Sequence, residues 1–472
     1  MNNRIYKFLN IEQSRYKTIY LIQLYLIFLI GLLSIFVRYP MSWYDEQVHY
    51  ARVLTYSNNL SSKGEGYITQ SEQDFIHLSM TTISKSLAQE SQKIISIDWK
   101  SDFNNLSDSK EKVLTKDGSP AAVYSPLVYF PYIITAWTSK LLNLSTINTF
   151  LLLRLVGFLS VFWLFLLAIR KIPFGKATLL IIGSIPTVIL SFTAISADTL
   201  TYGLIFLFVS QIISLYQKLA LNGIIKKREF VSLILCSILV VMSKMPAFAI
   251  LALYLPLIYI GVKKVRLSKS QLYLLSGTLI FCALLTVLWY LNIKNINGNV
   301  TYYGAKNIDQ GRQLSFIIAH PLKSMRTFFE SIINFPYFEF QLGYSDLLKM
   351  MHVPITISFF SVFCMFTSFR IKEEDSIVIE KSYRMIYNFF SKLVFLGILL
   401  LIFIIFYLQV TEVGADAING VQGRYFFSFL ILLIPFSNGK SQLDEKSASR
   451  ILYLSMLPSI YYILIMFYQL RT

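Results

Sequence analysis

Asp45 and Glu46 stand side by side in the run Trp43-Tyr44-Asp45-Glu46-Gln47-Val48-His49-Tyr50. Adjacent carboxylates held among aromatics are costly to desolvate, and the chemistry that uses them is proton abstraction or metal coordination. His49 follows Glu46 by three residues and shares a helical face with it. Asp45, Glu46 and His49 are therefore a candidate set for a divalent cation, Mg2+ or Mn2+, although nothing in the sequence requires one. The competing reading is a solvated loop with an interfacial aromatic anchor.

A second candidate is Val421-Gln422-Gly423-Arg424-Tyr425-Phe426. The planar fork of Arg424 matches phosphate oxygens, Gly423 admits a ligand close to the backbone, and Gln422 and Tyr425 flank both. Otherwise Arg424 is an arginine snorkelling to lipid headgroups. A third set is Ser196-Ala197-Asp198, Lys244 and Tyr124-Ser125-Pro126. Asp198 falls at a turn between two apolar blocks. Lys244 falls at the tip of an apolar hairpin, 229–262, whose arms of about 16 residues are short for a bilayer and leave a recess. A cation in such a recess suits an anionic lipid headgroup; an Asp198–Lys244 pair with a structural role is the equal alternative.

The elements that must position these residues are set by composition. Of 472 residues, 55% are hydrophobic and only 15% charged, with mean hydropathy +0.56; soluble chains carry roughly a quarter charged residues. The apolar residues fall in blocks of the roughly 20 residues that cross a bilayer. The first block, 18–37, follows Arg4, Lys7, Arg15 and Lys17 and lacks a small-residue cleavage site, so it reads as a retained first span. The net charge of +17 sits in short clusters between blocks. That distribution sets membrane topology and meets anionic headgroups; it is not a nucleic-acid footprint.

The clusters are the N-terminus, Arg170 to Lys176, Lys218 to Arg228, Lys263 to Lys269, Arg370 to Lys392 and Lys440 to Arg450. Placing them inside the cell predicts an all-α, polytopic transmembrane bundle of about eleven spans (11–13), one integral membrane domain over 1–472 with a cytoplasmic N-terminus. The spans fall near 18–37, 150–169, 177–196, 199–217, 229–243, 246–262, 271–291, 352–370, 387–409, 425–438 and 450–470. The block 124–142 carries Pro126, Pro131 and several aromatics, and reads as a juxtamembrane or re-entrant helix.

Two segments are then external. In 38–124, Ser71 and Asp74 resemble a capping box, and Ile76, Met80, Ile83 and Leu87 form an amphipathic stripe that lies on the membrane or on the protein. In 292–351, Pro321 opens a helix with the stripe Met325, Phe328, Phe329 and Ile332. Lys306, Arg312, Lys323 and Arg326 are solvated or touch headgroups. Cys236, Cys282 and Cys364 lie inside apolar blocks without metal-ligand spacing, and no Walker A, GxSxG or HExxH pattern occurs.

With those residues on the page, the chain resembles the domain-of-unknown-function 2142 family of bacterial polytopic membrane proteins. The likeness rests on WYDEQVHYAR at 43–52, YSPLVYFPY at 124–132, RLVGFLSVFWLFLLAIRKIP at 154–173, SAD at 196–198, HPLKSM at 320–325 and VQGRYFF at 421–427. The family often shows Pro-Asp-Glu where this chain has Tyr44-Asp45-Glu46; the turn changes and both acids stay. In layout the family is similar to the GT-C integral-membrane glycosyltransferases. That resemblance implies Asp45 as catalytic base or metal-contacting acid, with Glu46 supporting it. It also implies Arg424 and Lys244 as holders of the phosphate of a polyprenyl-phosphate sugar donor.

The expected function is transfer of a sugar from that donor to a cell-envelope glycan or glycolipid acceptor at the outer face of a bacterial plasma membrane. His49, Asp198, Tyr124, Gln422 and Tyr425 would line the site, and membrane lipids would surround it. The alternatives are a lipid-linked sugar flippase or transporter, marked by broken helices and mid-bilayer polar groups, and a non-catalytic envelope-polymer assembly protein.

Overall fold

The computed structural model describes residues 2–60, 64–88, 99–297, 307–337, 355–373, 379–436 and 442–469. After a short α1 (Asn2–Leu9), the uncharged run from Thr18 to Val37 folds as α2 (Lys17–Val37). Its 21 residues are about 31 Å long, the thickness of a hydrocarbon core. Beyond α2 the chain builds a small layer of short elements. It comprises α3 (Glu46–Asn58), β1 (Gly66–Thr69), α4 (Gln70–Ala88), β2 (Lys112–Thr115) and α5 (Phe130–Leu141). β1 and β2 pair antiparallel with Gly66 opposite Thr115 and Thr69 opposite Lys112; otherwise the described fold is all-α.

The cap of α4 lies two residues earlier than Ser71 and Asp74 suggest. Glu72 accepts from the Thr69 N–H at 2.7 Å while Thr69 Oγ1 accepts from the Glu72 N–H at 3.2 Å. The Thr-x-x-Glu box wins because β1 delivers Thr69 in the extended conformation that a cap needs. Ser71 turns to Thr146 instead, at 2.7 Å. Three of the four stripe residues of α4 lie on the protein: Ile76 and Ile83 are buried and Met80 packs partly against the core, while the Leu87 side chain lies outside the described residues. α5, at 12 residues, is about 18 Å long and too short to span.

The bundle follows as α6 (Thr146–Lys171), α7 (Lys176–Gly183), α8 (Pro186–Thr193), α9 (Ala197–Ala220), α10 (Lys227–Ser243), a 3-10 stretch Met245–Leu253 leading into α11 (Tyr254–Lys263), and α12 (Lys269–Asn297). Then come α13 (Gln310–Ala319), α14 (Pro321–Ile333), α15 (Ile355–Ser368), α16 (Lys381–Gln409), α17 (Arg424–Phe427), α18 (Glu445–Leu454) and α19 (Leu457–Gln469). Among the described residues, seven helices are long and apolar enough to cross a membrane. They become eight if α7 and α8, bent by 68°, count as one broken span. The eleven expected differ in three places. α10 has 17 residues, α15 is described only from Ile355, and 425–438 is interrupted.

That interruption is a correction to the expected span. The segment breaks after α17, forms one 3-10 turn at Leu430–Leu433 and has left helical structure by Ile434, just before Pro435. Asn388 of α16 accepts from the Phe436 N–H at 2.9 Å and donates to its carbonyl at 3.2 Å, standing in for a missing helical turn. The hairpin around Lys244 is also less short than its residue count implied. The 3-10 stretch rises about 2 Å per residue, so 245–263 covers about 33 Å. α9 is the axis: 94% of its apolar window is buried, and α6, α8, α10 and α11 pack on it.

Pro321 begins α14, as the sequence suggests. Its stripe splits. Phe328 and Ile332 pack inward against the core, while Met325 and Phe329 face out, and the small Ser324 and Thr327 are buried. Lys323 pairs with Asp416 at 2.9 Å and Arg326 with Glu330 at 2.8 Å. Lys306 lies outside the described residues.

Candidate functional site

α2 ends at Val37 and α3 begins at Glu46, so eight residues must reverse the chain. Two of them, Met41 and Asp45, take left-handed φ values of +62°. Asp tolerates that region far better than most residues, because its short side chain bonds locally. This twist separates two neighbouring carboxylates: Asp45 is 39% exposed, while Glu46 is fully buried.

Glu46 is taken by Arg154, which lies inside the apolar α6. Nε donates to Glu46 Oε1 at 2.9 Å and Nη2 to Oε2 at 2.6 Å, a bidentate pair of which neither member is more than 1% exposed. The same guanidinium donates to the carbonyls of Arg38 at 3.0 Å, Tyr39 at 3.2 Å and Ile35 at 3.5 Å. Glu46 also accepts from the Ile195 N–H at 3.1 Å. Burial works to raise the Glu46 carboxyl, but Arg154, Arg38 and the Ile195 N–H outweigh it and hold the group below the usual carboxylate value. The Arg154–Glu46 pair therefore ties the end of α2, the start of α3 and the segment before α9.

Asp45 meets a different arginine. Arg424, 2% exposed at the start of α17, donates from Nη2 to Asp45 Oδ2 at 2.5 Å and from Nη1 to the Tyr44 carbonyl at 3.0 Å. Its guanidinium lies 5.2 to 5.9 Å from the rings of Tyr425, Tyr44 and Trp43. Its carbonyl accepts from the Tyr202 hydroxyl of α9 at 2.5 Å.

A second acid–cation pair sits beside the first. Ser196 caps α9, accepting from the Asp198 N–H at 3.1 Å, and this fixes Asp198 in the first turn. Lys244, in extended backbone between α10 and the 3-10 stretch, reaches Asp198 Oδ1 at 2.7 Å. Its Nζ lies 4.3 Å from the Tyr425 ring centre, so both cations approach one aromatic.

His49, one turn into α3, completes the wall. Its Nδ1 shares a hydrogen bond with the Tyr129 hydroxyl at 2.5 Å, and its ring lies 5.4 Å from Tyr124. Burial first, with Arg424 and Lys244 adding to it against Asp45 and Asp198, lowers the imidazole to about 4, so it is neutral at physiological pH. The carbonyl of Tyr124 accepts from the Tyr56 hydroxyl at 2.9 Å. The buried side-chain oxygen of Gln422 has no hydrogen-bond partner among the described residues.

The structure thus brings together Asp45, His49, Tyr124, Asp198, Lys244, Arg424 and Tyr425, with Gln422 beside Arg424 in the chain. Glu46 is turned to separate partners. A metal set from Asp45, Glu46 and His49 does not fit, because Arg154 holds both Glu46 oxygens and Tyr129 holds Nδ1 of His49. Among the described residues no three His, Cys, Asp or Glu side chains converge as metal ligands. Arg154, Tyr129 and Tyr202 escaped the sequence reading. An arginine within an apolar block was the signal for the first, since such charges are retained for a partner. A separate cavity of about 230 Å³ lies at the opposite end of α2, lined by Asn10, Glu12, Tyr20, Lys176 and Glu373 among others; it shares no residue with this cluster.

Chemically the cluster offers a partly exposed carboxylate, two cations suited to phosphate oxygens, a neutral imidazole and an aromatic wall suited to a sugar ring or lipid chain. No curated protein and no solved structure matches the chain. A family model described as "Predicted membrane protein (DUF2142)" matches residues 28–433, most of its length.

Proposed function

The chain belongs to the DUF2142 family of membrane proteins, and from that premise we propose that it is a GT-C-like glycosyltransferase. It moves a sugar from a polyprenyl-phosphate-linked donor to a cell-envelope polysaccharide or glycolipid acceptor. The observation that carries this reading is the convergence of Asp45 with Arg424, Lys244 and Asp198 at one end of the bundle, although they lie up to 379 positions apart. The basic clusters argue that this end faces outward and the N-terminus inward, in a bacterial plasma membrane.

In the proposed reaction Asp45 accepts the proton of the acceptor hydroxyl as that oxygen bonds to the anomeric carbon. The bond from that carbon to the phosphate oxygen breaks, and its electron pair leaves on the phosphate. Arg424 and Lys244 stabilise the charge that develops there. His49, Tyr124, Tyr425 and Gln422 line the sugar, and Glu46 acts through Arg154 to hold the turn that presents Asp45. The test is Asp45→Asn in the native host, with envelope glycans read by mass spectrometry. A glycan should disappear or be truncated; an unchanged profile removes Asp45 from the chemistry.

One observation favours a second reading, a lipid-linked sugar flippase. The two interrupted segments, α7–α8 and 424–436, touch each other: α7 packs on the 3-10 turn Leu430–Leu433 and α8 on α17. Paired broken helices are a mark of transporters. Reconstituted protein that translocates a fluorescent polyprenyl-phosphate sugar in liposomes lacking acceptor, without consuming it, supports this reading against transfer.

A further inference from the structure

The deepest part of the cluster is a cation and the outermost part is its acid. Arg424 is 2% exposed, Asp45 is 39% exposed, and Asp45 Oδ2 lies 2.5 Å from Nη2. One nitrogen of the guanidinium is committed to the Tyr44 carbonyl, and the rings of Trp43, Tyr44 and Tyr425 surround the fork. A ligand oxygen approaching Arg424 from solvent therefore meets the carboxylate first. In the neighbouring pair, 2.7 Å apart, the order is reversed, with Lys244 slightly more exposed than Asp198, and both cations lean on the same Tyr425 ring. With His49 neutral, the two acids and two cations cancel. Beside them the buried Gln422 oxygen lacks a partner among the described residues, a group that a ligand donor would satisfy.

We infer that Asp45 is an internal stand-in for a phosphate oxygen of the donor, so that the donor's phosphodiester must displace Asp45 from Arg424 before Asp45 can take a proton. The inference rests on the glycosyl-transfer reading and adds an order to it: the donor binds first and arms the base, and the acceptor follows. While Arg424 holds Asp45 Oδ2, that oxygen is turned towards the guanidinium and not towards an acceptor hydroxyl. The donor's phosphodiester offers the guanidinium two non-bridging oxygens for a bidentate contact and a charge equal to that of the carboxylate it displaces. Displaced towards solvent, Asp45 lies beside the anomeric carbon of the donor that displaced it. Unproductive proton abstraction without donor is thereby avoided.

The test measures binding of a short polyprenyl monophosphate, farnesyl phosphate, to the full-length protein in nanodiscs, with Trp43 beside Arg424 as a fluorescence reporter. Removing the stand-in should help the ligand: Asp45→Asn should bind about tenfold more tightly than wild type, the scale of one partly screened charge contact. Arg424→Lys, which keeps the charge and loses the fork, should bind more weakly. Its folding is checked by size exclusion. Inorganic phosphate run as a competitor separates the anion from the lipid chain, and should compete better in Asp45→Asn than in wild type. If Asp45→Asn binds no more tightly while Arg424→Lys loses affinity, the stand-in is overturned and the phosphate site survives. If neither wild type nor any variant binds farnesyl phosphate, the donor reading falls and the stand-in with it.

Discussion

Replacing Arg154 with methionine keeps the volume and helical character of α6 but removes five donated hydrogen bonds at once. Glu46 would be left as a buried carboxylate with only the Ile195 N–H, and the carbonyls of Ile35, Arg38 and Tyr39 would lose their side-chain donor. Breaking one side of a buried pair costs about 3–5 kcal/mol, because the abandoned charge must be protonated or hydrated. Glu46→Gln should cost less, since the amide oxygen still accepts from Ile195 and the carbonyls still hold the guanidinium. The double variant, with neither charge, should regain part of the loss, giving a coupling of about 1–3 kcal/mol. The assay is reversible unfolding in detergent, or the temperature at which half the protein leaves the monodisperse size-exclusion peak, for all four members of the cycle. If Arg154→Met matches wild type within about 0.5 kcal/mol, the guanidinium does not clamp the turn, and the account of how Asp45 is presented fails. A second measurement separates clamp from general stabiliser. Arg154→Lys, which neutralises Glu46 but cannot reach all three carbonyls, should recover stability more than it recovers the envelope glycan in the native host.

His49 gives a pH dependence. The folded protein holds the imidazole near 4 against 6.5 unperturbed. The unfolded chain therefore takes the proton first, and stability that is full above pH 6.5 falls as pH drops towards 4, by about 3 kcal/mol in all. His49→Gln should flatten that slope in urea titrations between pH 6.5 and 4.5, and an unchanged slope rejects the buried neutral imidazole. Gly157→Ala should destabilise by about 1–3 kcal/mol, because a Cβ there would lie 2.4 Å from the Tyr132 hydroxyl, which α5 sends to the Ala194 carbonyl; a neutral result in thermal unfolding refutes that close approach. Asn388→Leu should cost about 1–3 kcal/mol by stranding both backbone groups of Phe436, with a loss below about 0.5 kcal/mol counting against the splint.

Much of the cluster was legible because block lengths and basic clusters fix which chain ends face the same side of a membrane. Asp45, Asp198, Lys244 and Arg424 each stand at the end of an apolar block, and ends on one side have only a small area to share. Their pairing was legible for Lys244 and Asp198, where the alternative of an ion pair follows from opposite charges at adjacent hairpin tips. The division between Asp45 and Glu46 was not. It depends on one left-handed residue, and local patterning does not distinguish a left-handed Asp from an extended one. Arg154 was hidden for another reason: it lies in a stretch whose hydropathy reads as span whether or not one position is charged. The broken segment at 424–436 was read as continuous because hydropathy averages over Pro435 and ignores what satisfies the backbone, here Asn388 on a distant helix. The shift of the α4 cap by two residues shows two valid boxes competing, with the strand before Thr69 deciding.

The left-handed backbone at Asp45 also constrains how this chain can drift. Single-base changes from an aspartate codon reach Asn, Gly, Glu, Ala, Val, His and Tyr. Only Gly and Asn hold a φ of +62° at little cost, whereas β-branched and bulky residues pay on the order of 1–2 kcal/mol. Lineages that lose the acid while keeping the fold should therefore accumulate Asn or Gly at this position and little else. Position 45 then works as a marker among relatives: Asp in copies that retain the proposed chemistry, Asn or Gly in copies that keep the fold without it.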